Sequence, residues 1–133
     1  MSNLDAPVDN TPYSDEELEH FRKLLKEEQQ ETKEEIENLQ QAVDDIESYE
    51  NDKKSATTHH QGDIGSEEDE REKFLIMIDK NKKKLQEIKA ALDRIELGTY
   101  GVCQDTGNKI QKKRLEAIPH ARYSVVARKK DEQ

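Results

Sequence analysis

The chain has 133 residues, of which 31% are hydrophobic and 40% are charged, and its formal net charge is −9. Such a polar composition excludes a large globular core, and a single cysteine excludes both an internal disulfide and a zinc site built from several thiolates. The N-terminus lacks the basic and apolar regions of a cleaved signal, and no run approaches the roughly 20 apolar residues of a membrane span. We therefore expect a cytoplasmic protein that contacts no membrane.

Charge is distributed unevenly along the sequence. Residues 14–48 carry a net charge of −9, whereas residues 107–130 carry +7. An acidic helical part would be repelled by a DNA duplex, because phosphate binding favours a continuous basic face. The distribution favours a protein partner over sequence-specific DNA binding.

The first structural signal follows a leader, residues 1–13, that we expect to be disordered. Ser14 and Glu17 have the spacing of a capping box at the start of a helix, with Tyr13 and Leu18 as a hydrophobic staple. Apolar residues then recur at intervals of three and four as far as Ile46, which predicts a long helix. Thr32 interrupts the apolar stripe.

A second helix of similar length is predicted after a segment without periodicity, residues 49–65. Ser66 begins a second capping box, and Gly98 follows the last periodic residue as a candidate C-cap. Two such helices joined by a short connection fold back most simply as an antiparallel hairpin. The sequence thus predicts a mainly α fold, with a coiled-coil hairpin over residues 14–98 and its tip loop at about residues 49–65. We expect Leu39 to lie near Ile78, Val43 near Phe74 and Leu25 near Leu92.

The helical spacing of apolar residues stops after Gly98. Residues 99–130 predict a small β-hairpin with a turn near Gly107, a break at Pro119 and a short terminal helix, and residues 131–133 form a tail. A module of about thirty residues is too small for an independent apolar core. It should pack against the base of the hairpin.

Two stretches carry a family resemblance: ALDRIELGTYGVCQDTG at 91–107 and KKRLEAIPHA at 112–121. They resemble the DksA/TraR family of bacterial transcription regulators, whose members combine a coiled-coil hairpin with a four-cysteine zinc finger. The four ligand positions of that finger fall here on Cys103, Thr106, Ser124 and Ala127. Because one thiolate cannot make a closed zinc site, we expect a degenerate finger without zinc, in which Cys103 is a small packing residue.

The resemblance also implies a mechanism. Members of the family bind RNA polymerase, insert the hairpin tip into its secondary channel and modulate promoter complexes, often together with ppGpp. The family's tip motif falls on His60, Asp63 and Gly65, so only the second acid of the motif is retained, as Asp63. An acid there can accept hydrogen bonds from polymerase or perturb groups near the catalytic Mg²⁺. Asp63 could also cap the returning helix, and the two roles can coexist.

Dependence on ppGpp is expected to be weak. The family positions associated with this nucleotide fall on Glu87, Ile118 and Arg128, so two of three cations are lost. A pyrophosphate group needs several Arg or Lys partners. Lys83, Lys84 and Lys129 are candidate substitutes, either for nucleotide or for the polymerase surface.

Other functions remain as alternatives. No nucleophile with a base and an orienting group, no phosphate loop and no paired carboxylates in a credible pocket occur, so we do not expect an enzyme. The main rival is a coiled-coil adaptor with an inert finger-like cap, and a transcript-cleavage factor would need paired acids at the tip. The adjacent His59 and His60 are read as solvated loop residues rather than metal ligands. We expect a monomer.

Overall fold

The computed structural model describes the backbone of residues 11–55 and 61–125, and the side chains of residues 11–51 and 67–125. Within these ranges there are three helices, α1 (Asp15–Ser55), α2 (Gln61–Leu97) and α3 (Lys112–Ala117), so the predicted mainly helical fold is confirmed. The described residues form two compact units. Unit 1 combines the residues up to Gln29 with those from Gln86 onward, and unit 2 is Gln30–Leu85.

Helix α1 begins at the predicted capping box. The Ser14 N–H donates to the Glu17 carboxylate at 3.1 Å, and the Glu17 N–H donates to the Ser14 hydroxyl at 3.2 Å. The bond from the Ser14 backbone lowers the pKa of Glu17, as expected for a carboxylate that serves as a reciprocal cap. The start of the first helix is therefore fixed by local chemistry that is readable in the sequence.

The end of the leader is ordered, which corrects the prediction that residues 1–13 are all disordered. The Thr11 N–H donates to the Gly98 carbonyl at 3.0 Å. The Tyr13 side chain is 5% exposed, and its hydroxyl donates to the Ile110 carbonyl. Tyr13 thus contributes a large buried ring to the core of unit 1, beyond the staple role that the sequence indicated. Residues 1–10 lie outside the described part of the chain.

Helix α2 ends at Leu97, and the glycine predicted to stop it, Gly98, follows with a φ of +76°. The Thr99 N–H donates to the Arg94 carbonyl at 2.9 Å, and the Gly98 N–H donates to the Ile95 carbonyl at 3.3 Å. This pair of bonds is the Schellman motif, which places its C′ residue in the left-handed region where glycine carries no Cβ penalty. The motif turns the chain sharply into the C-terminal module.

Both long helices extend into the segment predicted as a tip loop, so the bounds 49–65 were wrong. Helix α1 continues to Ser55, and α2 already begins at Gln61, which leaves Ser66 inside a helix instead of at its start. The prediction relied on the loss of apolar spacing after Ile46. Once a helix is nucleated, however, polar residues with good helix propensity extend it at one hydrogen bond per residue.

Unit 2 is held by the predicted seam between α1 and α2. Leu39, Val43 and Ile78 are buried, and Ile36 and Phe74 pack against them. The expected pairings of Leu39 with Ile78 and of Val43 with Phe74 are consistent with this cluster. The cluster thus joins one stretch of α1 to one stretch of α2 within unit 2.

An ion pair and a buried hydroxyl complete unit 2. Arg71 on α2 reaches Glu47 on α1, with Nη2 2.9 Å from Oε1, and the hydrogen bonds with Glu47 raise the pKa of Arg71. Thr32 is only 2% exposed on the seam. Polar residues therefore share this apolar seam, as the interrupted stripe in the sequence indicated.

Unit 1 contains the larger core, in which aromatic rings join the helices to the C-terminal module. The Phe21 ring lies 5.5 Å from Tyr13 and 5.4 Å from Tyr100, measured between centroids. Helical Leu25, Ile88 and Ala91 line the same core, with Leu92 packed against it. The C-terminal module contributes Tyr100, Cys103, Ile110, Leu115 and Ala121. As expected, this module has no separate core and depends on the helix ends.

The predicted β-hairpin is reduced to one antiparallel bridge, between Val102 and Lys109, and no longer strand occurs in the described ranges. The intervening residues close on themselves, because the Gly107 N–H donates to the Cys103 carbonyl at 2.8 Å. A ladder does not extend outward from the bridge, because Gly101, next to Val102, has a φ of +83°, far from the extended backbone of a strand. The terminal helix predicted at residues 124–130 lies almost entirely outside the described residues.

Candidate functional site

Backbone hydrogen bonds close a tight turn around Cys103. The Cys103 N–H donates to the Asn108 carbonyl at 2.7 Å, and the Ile110 N–H donates to the Gly101 carbonyl at 2.8 Å. Gly101 has a φ of +83°, and a Cβ added to it would lie 2.5 Å from the Tyr13 ring. Glycine is needed there both for the backbone angle and for the close approach of the ring.

Several hydrogen-bond donors surround the Cys103 sulfur. Its side chain is 1% exposed, and the Ser124 N–H points at Sγ from 3.4 Å. Burial by itself raises the pKa of this thiol. Donation from the Thr106 hydroxyl, and from the backbone N–H groups of Ser124, Thr106 and Asp105, outweighs burial and lowers the pKa to about 6. The site thus stabilises a thiolate without a metal ion.

Three of the four positions that resemble zinc ligands come together in the fold. Thr106 and Ser124 both contact Cys103, and the Thr106 hydroxyl also accepts the Asn108 N–H at 3.2 Å. Ala127 lies outside the described residues. Cys103, Thr106 and Ser124 are therefore neighbours in the fold, and of these three only Cys103 has a thiol that could bind a metal ion.

An ion pair on the surface of unit 1 ties α2 to the segment after α3. Arg122 donates to both Glu87 oxygens, through Nε to Oε2 and through Nη2 to Oε1 at 3.0 Å. Hydrogen bonding to Glu87 raises the pKa of Arg122, and the bidentate geometry is the strong form of this contact. Neighbouring Arg94, whose pKa is lowered by burial and by Arg122, lies 3.5 Å from the Ala121 carbonyl.

This arrangement bears on the three positions that resemblance associates with ppGpp. Glu87 is already paired with Arg122, and Ile118 packs against the core of unit 1. Neither is a cation free to bind phosphate. Of the candidate substitutes, Lys83 is exposed and pairs with Asp79 at 3.2 Å, and Lys84 is half-buried; Arg128 and Lys129 lie outside the described residues.

The basic run Lys112-Lys113-Arg114 serves the fold at two of its three positions. The Lys112 ammonium lies 3.5 Å from the Glu17 carboxylate, and Arg114 Nε donates to the Tyr123 carbonyl at 2.7 Å. A further contact joins α1 to α3, since His20 Nε2 lies 2.9 Å from Glu116. Lys112 and Arg114 therefore help to hold α3 in place within unit 1.

The tip positions are known only at the level of the backbone. Asp63 and Gly65 lie within the first turns of α2, two and four residues after its start at Gln61, and His60 lies outside the described residues. Asp63 is thus not the N-cap that the sequence offered as an alternative role. A carboxylate in the first turn still interacts favourably with the positive end of a helix dipole.

Comparison with known proteins agrees with this architecture. Residues 98–133 match the family model of the prokaryotic dksA/traR C4-type zinc finger. The chain is 35% identical over 131 residues to the RNA polymerase-binding transcription factor DksA of Caulobacter vibrioides, covering 95% of this chain and 84% of that protein. It is also 51% identical over 43 residues to general stress protein 16O of Bacillus subtilis, although the matched part is only 26% of that protein's length.

The fold comparison covers both units. The structure of transcription factor DksA2 from Pseudomonas aeruginosa matches with a TM-score of 0.76 and 30% identity, over 98% of this chain and 95% of that one. The fold and the C-terminal module together define a helical protein with two long helices and a C-terminal module that is similar to a zinc finger. The similarity over nearly the full length shows that the chain belongs to the DksA/TraR family.

The residues present do not fit the zinc ion that the family's finger implies. Among the described residues, no group of three or more His, Cys, Asp or Glu side chains is arranged to hold a metal ion. Around Cys103 the remaining donors are the hydroxyl of Thr106 and backbone N–H groups, which point hydrogen atoms at the sulfur instead of lone pairs at a cation. Hydrogen bonds thus take over the stabilisation that a metal ion gives a thiolate.

Sequence reasoning missed two elements of this region. It counted Arg122 only as part of a basic terminus, and it gave Tyr13 no place in the C-terminal module. A signal for the contact of Arg122 was present in the sequence, because position 87 carries an acid where the resemblance implies a cation. An acid at that position can pair with a nearby cation.

No helix in the described residues is long and apolar enough to cross a bilayer.

Proposed function

We propose that this protein is a transcription regulator that binds RNA polymerase and inserts the α1–α2 tip into the secondary channel to modulate promoter complexes. The observation that carries the proposal is the extent of the similarity. The Caulobacter relative, named as RNA polymerase-binding, aligns with 95% of this chain, helices included. A match confined to the finger would support only a shared cap.

The tip chemistry proposed for this role centres on Asp63. Position 63 lies two residues after the start of α2 at Gln61, close in sequence to the connection between the two helices. From there an acid can accept charge-assisted hydrogen bonds from polymerase arginines or backbone groups. His60 and Gly65, the other motif positions, are proposed as neighbouring contacts without the acid's role.

Charge reversal at the tip tests this mechanism. Asp63→Lys should abolish the effect on promoter complexes while leaving the helix content unchanged. Glu70→Lys is the matched control, because Glu70 is an exposed acid two helical turns further along α2. Equal activity of both variants and the parent would contradict channel insertion through Asp63 and favour the adaptor alternative.

The nucleotide is proposed to have little effect through the family's site. Glu87 is engaged by Arg122, and Ile118 offers no charge, so a pyrophosphate would find at most Arg128 of that set. Lys83, Lys84 and Lys129 are the proposed substitutes if any synergy exists. Inhibition of a ribosomal-type promoter should change little when ppGpp is added, and a large enhancement would refute this part of the proposal.

The remaining features of the proposal concern the protein's state and activity. We propose that the form entering the channel is a cytoplasmic monomer, that it reads no DNA sequence and that it catalyses no reaction. Stalled transcription complexes should therefore release no cleaved RNA when the protein is added. Cleavage dependent on Asp63 would instead indicate a cleavage factor that delivers Mg²⁺.

A further inference from the structure

The outer face of α2 in unit 2 carries an unusual arrangement of charge around one apolar residue. Phe74 and Ile78 pack into the seam, but the three residues between them are exposed: Leu75 by 37%, Ile76 by 51% and Met77 by 40%. At about 100° per residue, Ile76 points directly away from the seam. Ile76 is thus an exposed apolar side chain on the outer face of α2, in a chain of which 40% of the residues are charged.

Charges of opposite sign flank Ile76 symmetrically on this face. Asp69 and Glu72 precede it, and Lys80 and Lys83 follow it, all of them exposed. Positions 72 and 80 are each four residues from Ile76, and positions 69 and 83 are each seven residues away. By helical geometry all four lie within about 40° of the direction of Ile76, on one line about 20 Å long.

From this symmetry we propose that the outer face of α2 binds a second copy of this chain, antiparallel, around a two-fold axis at Ile76. In this register Asp69 lies opposite Lys83 of the other copy, and Glu72 opposite its Lys80, so that the axis generates four ion pairs and one contact between the two Ile76 side chains. A parallel register would oppose like charges throughout. Such a self-complementary patch is what a two-fold interface requires.

The small apolar area of this face limits the strength of the association. Taking roughly 100 Å² for a fully exposed side chain of this size, the three exposed apolar residues present on the order of 130 Å², far below the approximately 800 Å² per partner of a standard interface. Surface ion pairs add little each. Lys83 already pairs with Asp79 of its own helix, and this pair competes with the proposed pair between Lys83 and Asp69 of the other copy. The dimer is therefore weak, reversible and sensitive to salt.

A regulatory consequence rests on the proposed function. Unit 2 contains the tip that is proposed to enter the polymerase channel, and a second copy on α2 would cover a face adjacent to it. At high concentration, self-association would then lower the fraction of the protein that can bind RNA polymerase. This consequence can fail without affecting the dimer, because the dimer is tested without polymerase.

Sedimentation equilibrium of the full chain tests the pairing. In low salt the average mass should rise above 15.5 kDa as the concentration approaches the order of 0.1–1 mM, and it should return to 15.5 kDa in about 1 M salt, where the Debye length is about 3 Å. Ile76→Ser should weaken the association, whereas Leu97→Ser, a comparably exposed residue in unit 1, should not. A mass that stays at 15.5 kDa throughout would overturn the proposal.

Variants that exchange charges within one chain test the register itself. D69K should weaken the association, because position 69 then opposes Lys83 of the other copy with a like charge. D69K/K83E should restore it, since positions 69 and 83 oppose each other only in the antiparallel register, whereas D69K/K80E should not. Circular dichroism confirms that the variants fold, and equal association of D69K/K83E and D69K/K80E would refute this register.

Discussion

Protonation of Cys103 should couple the stability of unit 1 to pH. The folded thiol has a pKa lowered to about 6 from an ordinary value of 9.0. Between these values the unfolded chain binds a proton that the folded chain does not, so stability rises with pH and is lost as pH falls through about 6. The slope is at most about 1.4 kcal/mol per pH unit, or about 2 kcal/mol between pH 6 and pH 8.

Urea unfolding of the parent and of Cys103→Ser at several pH values measures this coupling. Serine fits the same donors but does not titrate, so the difference between the two free energies of unfolding isolates the thiol from the histidines, which titrate in both proteins. The difference should favour the parent increasingly as the pH rises. Cys103→Ser should itself fold, because its neighbours supply hydrogen bonds and no metal.

Two results would refute this reasoning. A difference between parent and Cys103→Ser that is flat with pH would show that the folded thiol is not a thiolate at neutral pH. A second test follows thiolate absorbance in Thr106→Val, which lacks the hydroxyl donor to Cys103 and should titrate at higher pH than the parent. An unchanged midpoint would show that Thr106 does not stabilise the anion.

Three further outcomes follow from the packing. Gly101→Ala should destabilise unit 1 by about 2–5 kcal/mol, because the strain of a positive φ adds to the overlap of the new Cβ with Tyr13. Gly107→Ala is the control, because Gly107 has a φ of +76° but open space around it, and it should cost only about 1–2 kcal/mol. Equal losses of stability in thermal unfolding would contradict the clash at Gly101. Ser14→Ala should cost about 1 kcal/mol through the lost cap of α1, checked by urea unfolding against an exposed Ser→Ala control elsewhere. Purified protein should contain well under one equivalent of zinc, and a chelator should leave its melting curve unchanged; tightly held zinc with unfolding on chelation would show that the cap binds metal after all.

Local chemistry made two helix ends predictable, the start of α1 and the end of α2, although the capping box at Ser66 did not mark the start of α2. The capping box of Ser14 and Glu17 and the C-cap at Gly98 are each defined by residues within a few positions of one another, so the sequence contains the whole signal. The membership of the seam in unit 2, with Leu39 and Val43 from α1 and Phe74 and Ile78 from α2, followed from the apolar spacing. The extension of α1 to Ser55 did not, because propensity alone sustains a polar helix there.

Long-range contacts were the part that the sequence did not reveal. The pair of Glu87 and Arg122 joins residues 35 positions apart, and the bond from Tyr13 to Ile110 spans 97. Their partners are set by the tertiary fold, which periodicity does not encode. The site around Cys103 was recognised only through its resemblance to a zinc finger, and the hydrogen-bond donors that replace the metal became visible in three dimensions.

Binding to RNA polymerase tests the central claim most directly. Purified protein should bind core RNA polymerase and should be displaced by a ligand known to occupy the secondary channel, with Asp63→Lys retaining the fold but losing the effect on promoter complexes. Glu70→Lys should behave as the parent in all three measurements. Absence of binding to core polymerase, or binding that the channel ligand does not displace, would contradict the account and favour a coiled-coil adaptor.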